Sequence, residues 1–163
     1  MNLHGSIHQF PKEIKTLILI FITTLSVGFF GGVNFIGDTT SYKPSGIETN
    51  YLGNEADENA EIMKFKKSKR EILTLVHNHI LSLSVIFFLL ALVLATTSIH
   101  VKLKLFLMVE PFLSLLCTFG GIYFMWLGIT WFKYIILISG ILMVLSFAAA
   151  VLLIFHQILF SKQ

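Results

Sequence analysis

Two histidines separated by one residue, in His77-Asn78-His79, begin a long apolar run and are the pattern in this sequence best suited to bind a cofactor. Neutral imidazole is the commonest protein ligand of transition metals and a frequent axial ligand of haem. Residues two apart on a regular helix point about 200° apart, so one metal ion cannot be held by both. We therefore consider either His77 or His79 as a ligand of haem or a metal ion. The alternative is that both bond to the backbone or to lipid headgroups.

Cys117 and Thr118 lie in the next apolar run, at a depth that antiparallel helices would bring close to His79. These three side chains predict a small polar or metal site. The sequence has a single cysteine, which excludes an intramolecular disulfide and the CxxC and CxxCH patterns of metal and haem attachment. Haem would also need a second axial ligand at the same depth, for which Met125 or a histidine of another subunit could serve.

An acidic residue, Glu110, lies within the same apolar run, and Ser114 follows it at helical spacing. An ionisable group at the centre of a membrane helix costs about 2.5 kcal/mol or more. We expect the Glu110 carboxylate to reach the membrane interface or to pair with Lys102 or Lys104. Pro111 removes one helical hydrogen bond and predicts a local kink. A proton path through Glu110 is the alternative role for this carboxylate.

The composition indicates whether these side chains lie in a membrane or in water. Of 163 residues, 55% are hydrophobic and 13% are charged, and the mean hydropathy is +0.82. Such a chain is an integral membrane protein rather than a soluble domain. The hydrocarbon core needs roughly 20 apolar helical residues, and the apolar runs do not alternate as barrel strands would. We therefore predict an all-α, single-domain membrane bundle with helices at about 16–36, 72–99, 103–126 and 131–160.

The polar segment 37–71 separates the first two predicted helices and is predicted to be a loop. For its charged half, residues 55–70, we predict a solvated loop, with a short amphipathic helix at the membrane surface as the alternative. The other connections are short, so the last three helices are antiparallel neighbours. Lysines near both chain ends lie on one side, which the positive-inside rule makes cytoplasmic, although the basic cluster 64–70 weighs against this assignment. Segment 37–71 is then periplasmic. We also predict that the first run is a retained helix rather than a cleaved signal peptide.

Small and polar residues recur at helical spacing in the predicted spans, beginning with Thr24, Gly28 and Gly32 in the first. Helices in lipid associate through small residues and interhelical hydrogen bonds. We therefore expect these stripes to face the interior of the bundle. The two glycines form a G-x-x-x-G, which also suits contact with another chain. The later helices carry comparable stripes, comprising Ser114, Cys117, Gly121, Ser139, Ser146 and Ala150.

Four groups of short motifs span the chain from about Tyr42 onward. They are Tyr51-Leu52-Gly53-Asn54-Glu55; His77-Asn78-His79 with Ser82 and Phe87-Phe88-Leu89-Leu90; Pro111-Phe112-Leu113 with Phe119-Gly120-Gly121; and Ser139-Gly140 with Leu142-Met143 and Leu145-Ser146-Phe147. Together they resemble an uncharacterised family of bacterial four-helix inner-membrane proteins. The resemblance implies a periplasmic loop, an H-x-H at the outer end of the second helix and, in longer members, a cytochrome c segment inserted in that loop. This sequence lacks the insertion and has Thr118 where the family pattern has an aspartate.

Two classes of function remain. The sequence has no nucleophile paired with a base, no phosphate-binding loop and no complete ligand set, which favours a role without catalysis. We predict an accessory or interaction subunit of a membrane complex, with respiratory complexes as one candidate class. The alternative is a small redox, metal-binding or haem-binding membrane protein that uses His77 or His79. The expected partners are the lipid bilayer and other membrane subunits or further copies of the chain. Membrane-flanking lysines explain the net charge of +3 without nucleic acid.

Overall fold

The computed structural model describes residues 4–57 and 60–160, and within these ranges the regular secondary structure is helical. Four long helices have the length and composition to cross a membrane, which confirms the predicted all-α membrane bundle. A 3₁₀ turn at Ser6–Gln9 precedes them. The helices are α1 (Lys12–Thr40), α2 (Pro44–Leu52), α3 (Lys69–Ala95), α4 (Val101–Trp126) and α5 (Phe132–Phe160).

Local sequence signals determine where α3 begins and ends. It begins at a capping box, in which the Ser68 hydroxyl accepts from the Glu71 backbone N–H and the Glu71 carboxylate accepts from the Ser68 N–H. It ends at Ala95, before the predicted end near Ile99. The hydroxyls of residues 96–97 donate to carbonyls of the last turn. Such side-chain bonds offer the backbone an alternative to further helix.

The structure corrects the predicted loop at 37–71, because nine of its residues form α2. Ser41 and Tyr42 both have left-handed backbones, with φ of 52° and 53°, and they reverse the chain from α1 into α2. Gly46 permits the resulting close contact between the two helices. A Cβ atom built on Gly46 would lie 1.9 Å from the carbonyl oxygen of Thr40. The join between α1 and α2 therefore requires glycine at this position.

The helix α4 is the central helix of the bundle and packs between α3 and α5. Half of its most apolar stretch is buried, against 39% for α5, 22% for α3 and 6% for α1. Phe147 of α5 is fully buried, and its ring stacks on Phe29 of α1 with the centroids 3.9 Å apart. The ring centroid of Phe87 of α3 lies 6.3 Å from that of Phe29. These aromatic contacts hold the middle of α1 against the other helices.

Hydrogen bonds join three parts of the chain at one end of the bundle. The Ile7 N–H donates to the Thr96 carbonyl over 3.1 Å. The Ser98 N–H donates to the Gln157 side-chain oxygen over 2.8 Å. The described N-terminal residues, the turn between α3 and α4 and the last turns of α5 therefore share this end.

The opposite end is closed by segment 37–71. The Trp126 indole N–H donates to the Lys67 carbonyl over 2.8 Å, and the Lys133 ammonium group pairs with Glu48 of α2 at 2.5 Å. Burial raises the pKa of Tyr51, also in α2, and a hydrogen bond with the Asn50 side chain opposes this shift. The polar segment thus lies at the other end from both described chain ends, as the up-and-down topology requires.

Candidate functional site

The most unusual polar group of the bundle is the Glu110 carboxylate on α4. The side chain is buried, with 7% of its surface exposed. Its Oε1 atom accepts a hydrogen bond from the Ser114 hydroxyl one turn later. Its Oε2 atom is buried and has no hydrogen-bond partner among the described residues. An unpaired buried oxygen of this kind carries a desolvation cost, so the site calls for a physical explanation.

The surroundings of Glu110 are aromatic and apolar. The hydrogen bond between Thr118 and Ser139 fixes the register of α4 against α5, and this register places Phe147 level with Glu110. On the other side, Phe112 of α4 lies 6.2 Å from Phe87 of α3. The described residues at this level of the bundle therefore include bulky aromatic side chains and no cation.

Pro111 shapes the backbone beside this carboxylate. Because proline has no backbone N–H, the carbonyl of Leu107 lacks its usual helical donor. Leu107 itself is buried. The helix α4 continues through Pro111, and the Leu107 carbonyl is a second oxygen within one turn of Glu110 that has lost its regular helical donor.

The expected pairing of Glu110 with Lys102 or Lys104 is wrong. The Lys104 ammonium group turns away from Glu110 and donates to the carbonyls of Ala95, over 3.1 Å, and Thr97, and it lies 3.0 Å from Nδ1 of His4. Lys102 is exposed. The expectation that Glu110 reaches the interface is also wrong, since its side chain is buried.

Lys104 has a structural role that the sequence analysis missed. It is 8% exposed and places a positive charge at the C-terminal end of α3, where the last carbonyls of a helix attract cations. The sequence analysis treated it as one of several lysines flanking the membrane. The signal that could have found it is the position of Lys104 one turn after a short connection, from which a long side chain can reach back to the preceding helix end.

Thr118, one of the three residues of the predicted polar site, bonds across the α4–α5 contact. Its hydroxyl lies 2.7 Å from that of Ser139, which also donates to the Ile135 carbonyl over 2.7 Å. Cys117, its neighbour in sequence, is exposed on the surface of the bundle. The two side chains therefore occupy different surroundings, and the Thr118 hydroxyl already has a protein partner.

His79 lies against α4 but near its surface. Its ring stacks on Phe119 with the centroids 4.7 Å apart, and its Nδ1 atom lies 2.8 Å from the Leu75 carbonyl oxygen. Both His79 and His77 are exposed. Among residues 4–57 and 60–160, no three histidine, cysteine or acidic side chains are grouped so that they could hold a metal ion. Met125, considered as an axial haem ligand, is fully buried.

The stripe of small residues on α1 faces outward, so its expected position in the bundle interior is wrong. Thr24, Gly28 and Gly32 are all exposed. A Cβ atom built on either glycine would meet no other atom within 4 Å. The expectation failed because the bulky residues of α1, including Phe29 and the fully buried Ile22, occupy the packed face instead.

A groove separates α1 from α5 along part of their length. It has a volume of about 330 Å³ and an apolar lining. Four residues of each helix line it, namely Thr23, Ser26, Val27 and Phe30 of α1 and Ala148, Val151, Leu152 and Phe155 of α5.

The fold and its apolar surface define a multi-pass helical membrane protein. Residues 41–163 match the model of the Aq_1264_TM family, a transmembrane helical domain, and the chain belongs to that family. The match begins at the turn that follows α1 and covers α2 to α5. It confirms the membrane helical family that the motifs from Tyr42 onward indicated. No curated protein and no solved structure matches the chain.

Proposed function

We propose that this chain is an accessory or interaction subunit of a membrane complex and that the outward face of α1 makes the contact with its partner. One observation carries the proposal: α1 is a full-length membrane helix whose most apolar stretch is only 6% buried within the chain. Apart from the partly buried residues that pack against the core, such as Leu25 and Phe29, the surface of α1 is available to another membrane helix or to lipid.

The shape of that face favours a helix over lipid. Gly28 and Gly32 lie one turn apart with open space around them, and Thr24 continues the same line. Paired small residues let two helix backbones approach closely, which increases van der Waals contact in a solvent that offers no hydrophobic drive for association. The helix α1 also lies outside the matched residues 41–163, so the proposed contact is made by a part of the chain that the family model does not describe.

The proposed location is the bacterial inner membrane, with both termini cytoplasmic and segment 37–71 periplasmic. The lysines near the N-terminus and after α3 support this orientation through the positive-inside rule. A respiratory complex is the partner class that the resembled family suggests, through its cytochrome-bearing members. A further copy of the chain is the other candidate partner.

Photo-crosslinking in native membranes tests the proposed contact. Phe35 is 67% exposed and lies on the same face of α1 as Gly28, so Phe35→benzoylphenylalanine, which adds a benzoyl group to a ring that is already exposed, places a photoreactive ketone on this face. We expect protein conjugates, identified by mass spectrometry. A conjugate of twice the chain mass of 18.4 kDa indicates a second copy, and any other protein conjugate indicates a different subunit.

Matched variants make this test specific. Gly28→Leu or Gly32→Leu should abolish the conjugates, whereas Asn34→Leu, which places the same side chain on an exposed residue 120° around the helix from Gly28, should leave most of them. The same probe at Phe106, exposed on α4, should yield lipid adducts. Lipid adducts alone from position 35 would contradict the interaction role.

Cofactor binding at His79 is a second candidate function, favoured by one hydrogen bond. A carbonyl partner such as that of Leu75 holds the proton on Nδ1 and leaves the Nε2 lone pair available for a metal, an arrangement that metal-ligating histidines commonly adopt. Because His79 is exposed, the remaining ligands would come from another subunit or from a rearranged Cys117. Such a site would make the chain a small redox or metal-binding protein.

Spectroscopy and metal analysis of protein isolated from native membranes test this candidate. We expect a stoichiometric haem Soret band or metal content that is lost in His79→Ala and kept in His77→Ala, since His77 has no comparable hydrogen bond or ring contact within residues 4–57 and 60–160. Isolation without haem or metal, together with normal stability of His79→Ala, would contradict it.

A further inference from the structure

The Glu110 carboxylate has no source of positive charge within the bundle. On the same helix, the Lys104 ammonium group donates to carbonyls at the C-terminal end of α3. The ionisable side chains that follow Glu110 in α4 are Cys117 and Tyr123, and neither carries a positive charge. The sequence has no ionisable side chain between His79 and Ala95 of α3, between Lys15 and Asp38 of α1, or between Tyr134 and His156 of α5. The described residues therefore leave the carboxylate without a counterion at its depth.

A bare carboxylate is costly in such surroundings. Removing an ion from water into an apolar interior costs several kcal/mol even after relaxation, which is on the order of the whole stability of a domain. Buried charges are accordingly paired, metal-bound or neutralised. Because only Oε1 receives a protein hydrogen bond, from Ser114, the second oxygen is the atom at which neutralisation must occur.

We propose that Glu110 binds one exchangeable positive charge, a proton or a small monovalent metal ion, at the middle of the bundle. Ser114 holds the carboxylate through Oε1, and Oε2 receives the cation. The carbonyl of Leu107, released from helical bonding by Pro111, is the nearest oxygen in sequence that can accept from a protonated carboxyl group or join a metal ion. This site is independent of what α1 contacts.

The geometry favours exchange over a purely structural acid. A structural buried carboxyl group is expected to have both oxygens bonded, as buried polar groups in native proteins usually do. Among the described residues Glu110 has one oxygen bonded and one buried without a hydrogen-bond partner. It also lies beside Pro111, where the continuous helix α4 lacks one backbone donor, and such turns are places where water or a polar group can enter.

Carbodiimide labelling of the intact chain in vesicles tests the proposal. Dicyclohexylcarbodiimide adds to a protonated carboxyl group in an apolar site: the carboxyl proton moves to a carbodiimide nitrogen, the carboxyl oxygen bonds to the central carbon, and rearrangement gives a stable N-acylurea with no leaving group. We expect one adduct per chain, located at Glu110 by peptide mass spectrometry, and none in Glu110→Gln, which preserves shape and hydrogen bonding.

Two series of conditions distinguish the two cations. If the site binds a proton alone, labelling falls as pH rises and is the same in sodium chloride as in choline chloride. If it also binds a metal ion, sodium or lithium chloride protects Glu110 from labelling at a fixed pH, and choline chloride does not. Either result supports the exchangeable site.

A positioning variant provides a readout that a structural role would not change. Ser114→Ala removes one hydrogen bond to the charged form of Glu110, so a proton or metal ion should bind the carboxylate more readily. We expect half-maximal labelling or protection at a cation concentration changed by about tenfold, with the fold retained. Labelling of Glu110 that does not respond to pH or to salt, or no labelling under any condition in a folded chain, would overturn the proposal.

Discussion

The helices α1 and α4 are both long and apolar enough to cross a membrane, yet they occupy opposite situations. Half of the most apolar stretch of α4 is buried, and its polar residues Glu110, Ser114 and Thr118 face the interior. In α1 only 6% of that stretch is buried, and the stripe at 24–32 faces outward. Apolar character therefore predicts that a helix enters the membrane, but the position of its polar and small residues determines what it contacts there.

The family match separates the same two helices. The matched residues 41–163 contain α4 and the helices that surround it, whereas α1 precedes them. The most deeply buried membrane helix thus lies within the matched residues, whereas α1 lies outside them and contributes Ile22 and Phe29 to the packed interior. This division leads us to expect that substitutions in α4 and α5 affect folding, and that those on the outward face of α1 affect association.

The largest effect is expected from Phe147→Ala. Phe147 is fully buried and stacks on Phe29, so its loss leaves a cavity at the junction of α1 and α5 and should lower the free energy of unfolding by about 3 kcal/mol or more. Phe35→Ala removes the same ring from the exposed face of α1 and should change stability little. Denaturation of the purified chain in mixed detergent micelles measures both. Equal losses would mean that the outward face of α1 is packed in the purified protein.

Gly46→Ala tests how α1 is attached to the rest. The added methyl group would overlap the Thr40 carbonyl oxygen at 1.9 Å, so we expect a loss of about 1–3 kcal/mol and faster proteolysis at the turn between α1 and α2. Gly140→Ala is the control, since a Cβ atom there meets nothing within 4 Å and should stabilise α5 slightly. Unchanged proteolysis of Gly46→Ala would show that this close contact is not required.

Lys104→Met should destabilise the end of the bundle that holds the turn between α3 and α4 by about 1–3 kcal/mol, because the carbonyls of the partly buried Ala95 and the buried Thr97 lose a charged donor. Lys102→Met removes an exposed amine two residues earlier in the same helix and should have little effect on stability. Amide hydrogen exchange in the last turn of α3 provides the local measurement. Equal exchange in the two variants would contradict the role assigned to Lys104.

The smallest effect is expected from Thr118→Val, which keeps the side-chain shape and removes the hydroxyl bonded to Ser139. Hydrogen bonds between membrane helices average about 0.6 kcal/mol, so we expect a loss of that order in the same unfolding assay. Thr24→Val, on the exposed face of α1, is the matched control. A larger loss for Thr24→Val would reverse the roles assigned to the two helices.

The sequence was sufficient to predict the four membrane helices, because each is a long run that only a helix can bury in lipid. It was also sufficient to identify Glu110 as unusual. It did not predict the outward direction of Gly28 and Gly32, because nearly every position of α1 is apolar and the sequence alone does not say which face meets the bundle. The role of Lys104 depends on the direction of a flexible side chain, which spacing along the chain does not determine.

The helix α1 is attached to the rest of the chain at both ends, and this affects the groove that it forms with α5. Ile7 bonds to the turn after α3, and the reversal at Ser41 and Tyr42 fixes the other end of α1 to α2. Between these two anchors the groove against α5 opens sideways. Because the lining is apolar, hydrocarbon chains of the bilayer match this groove better than water or a polar molecule does.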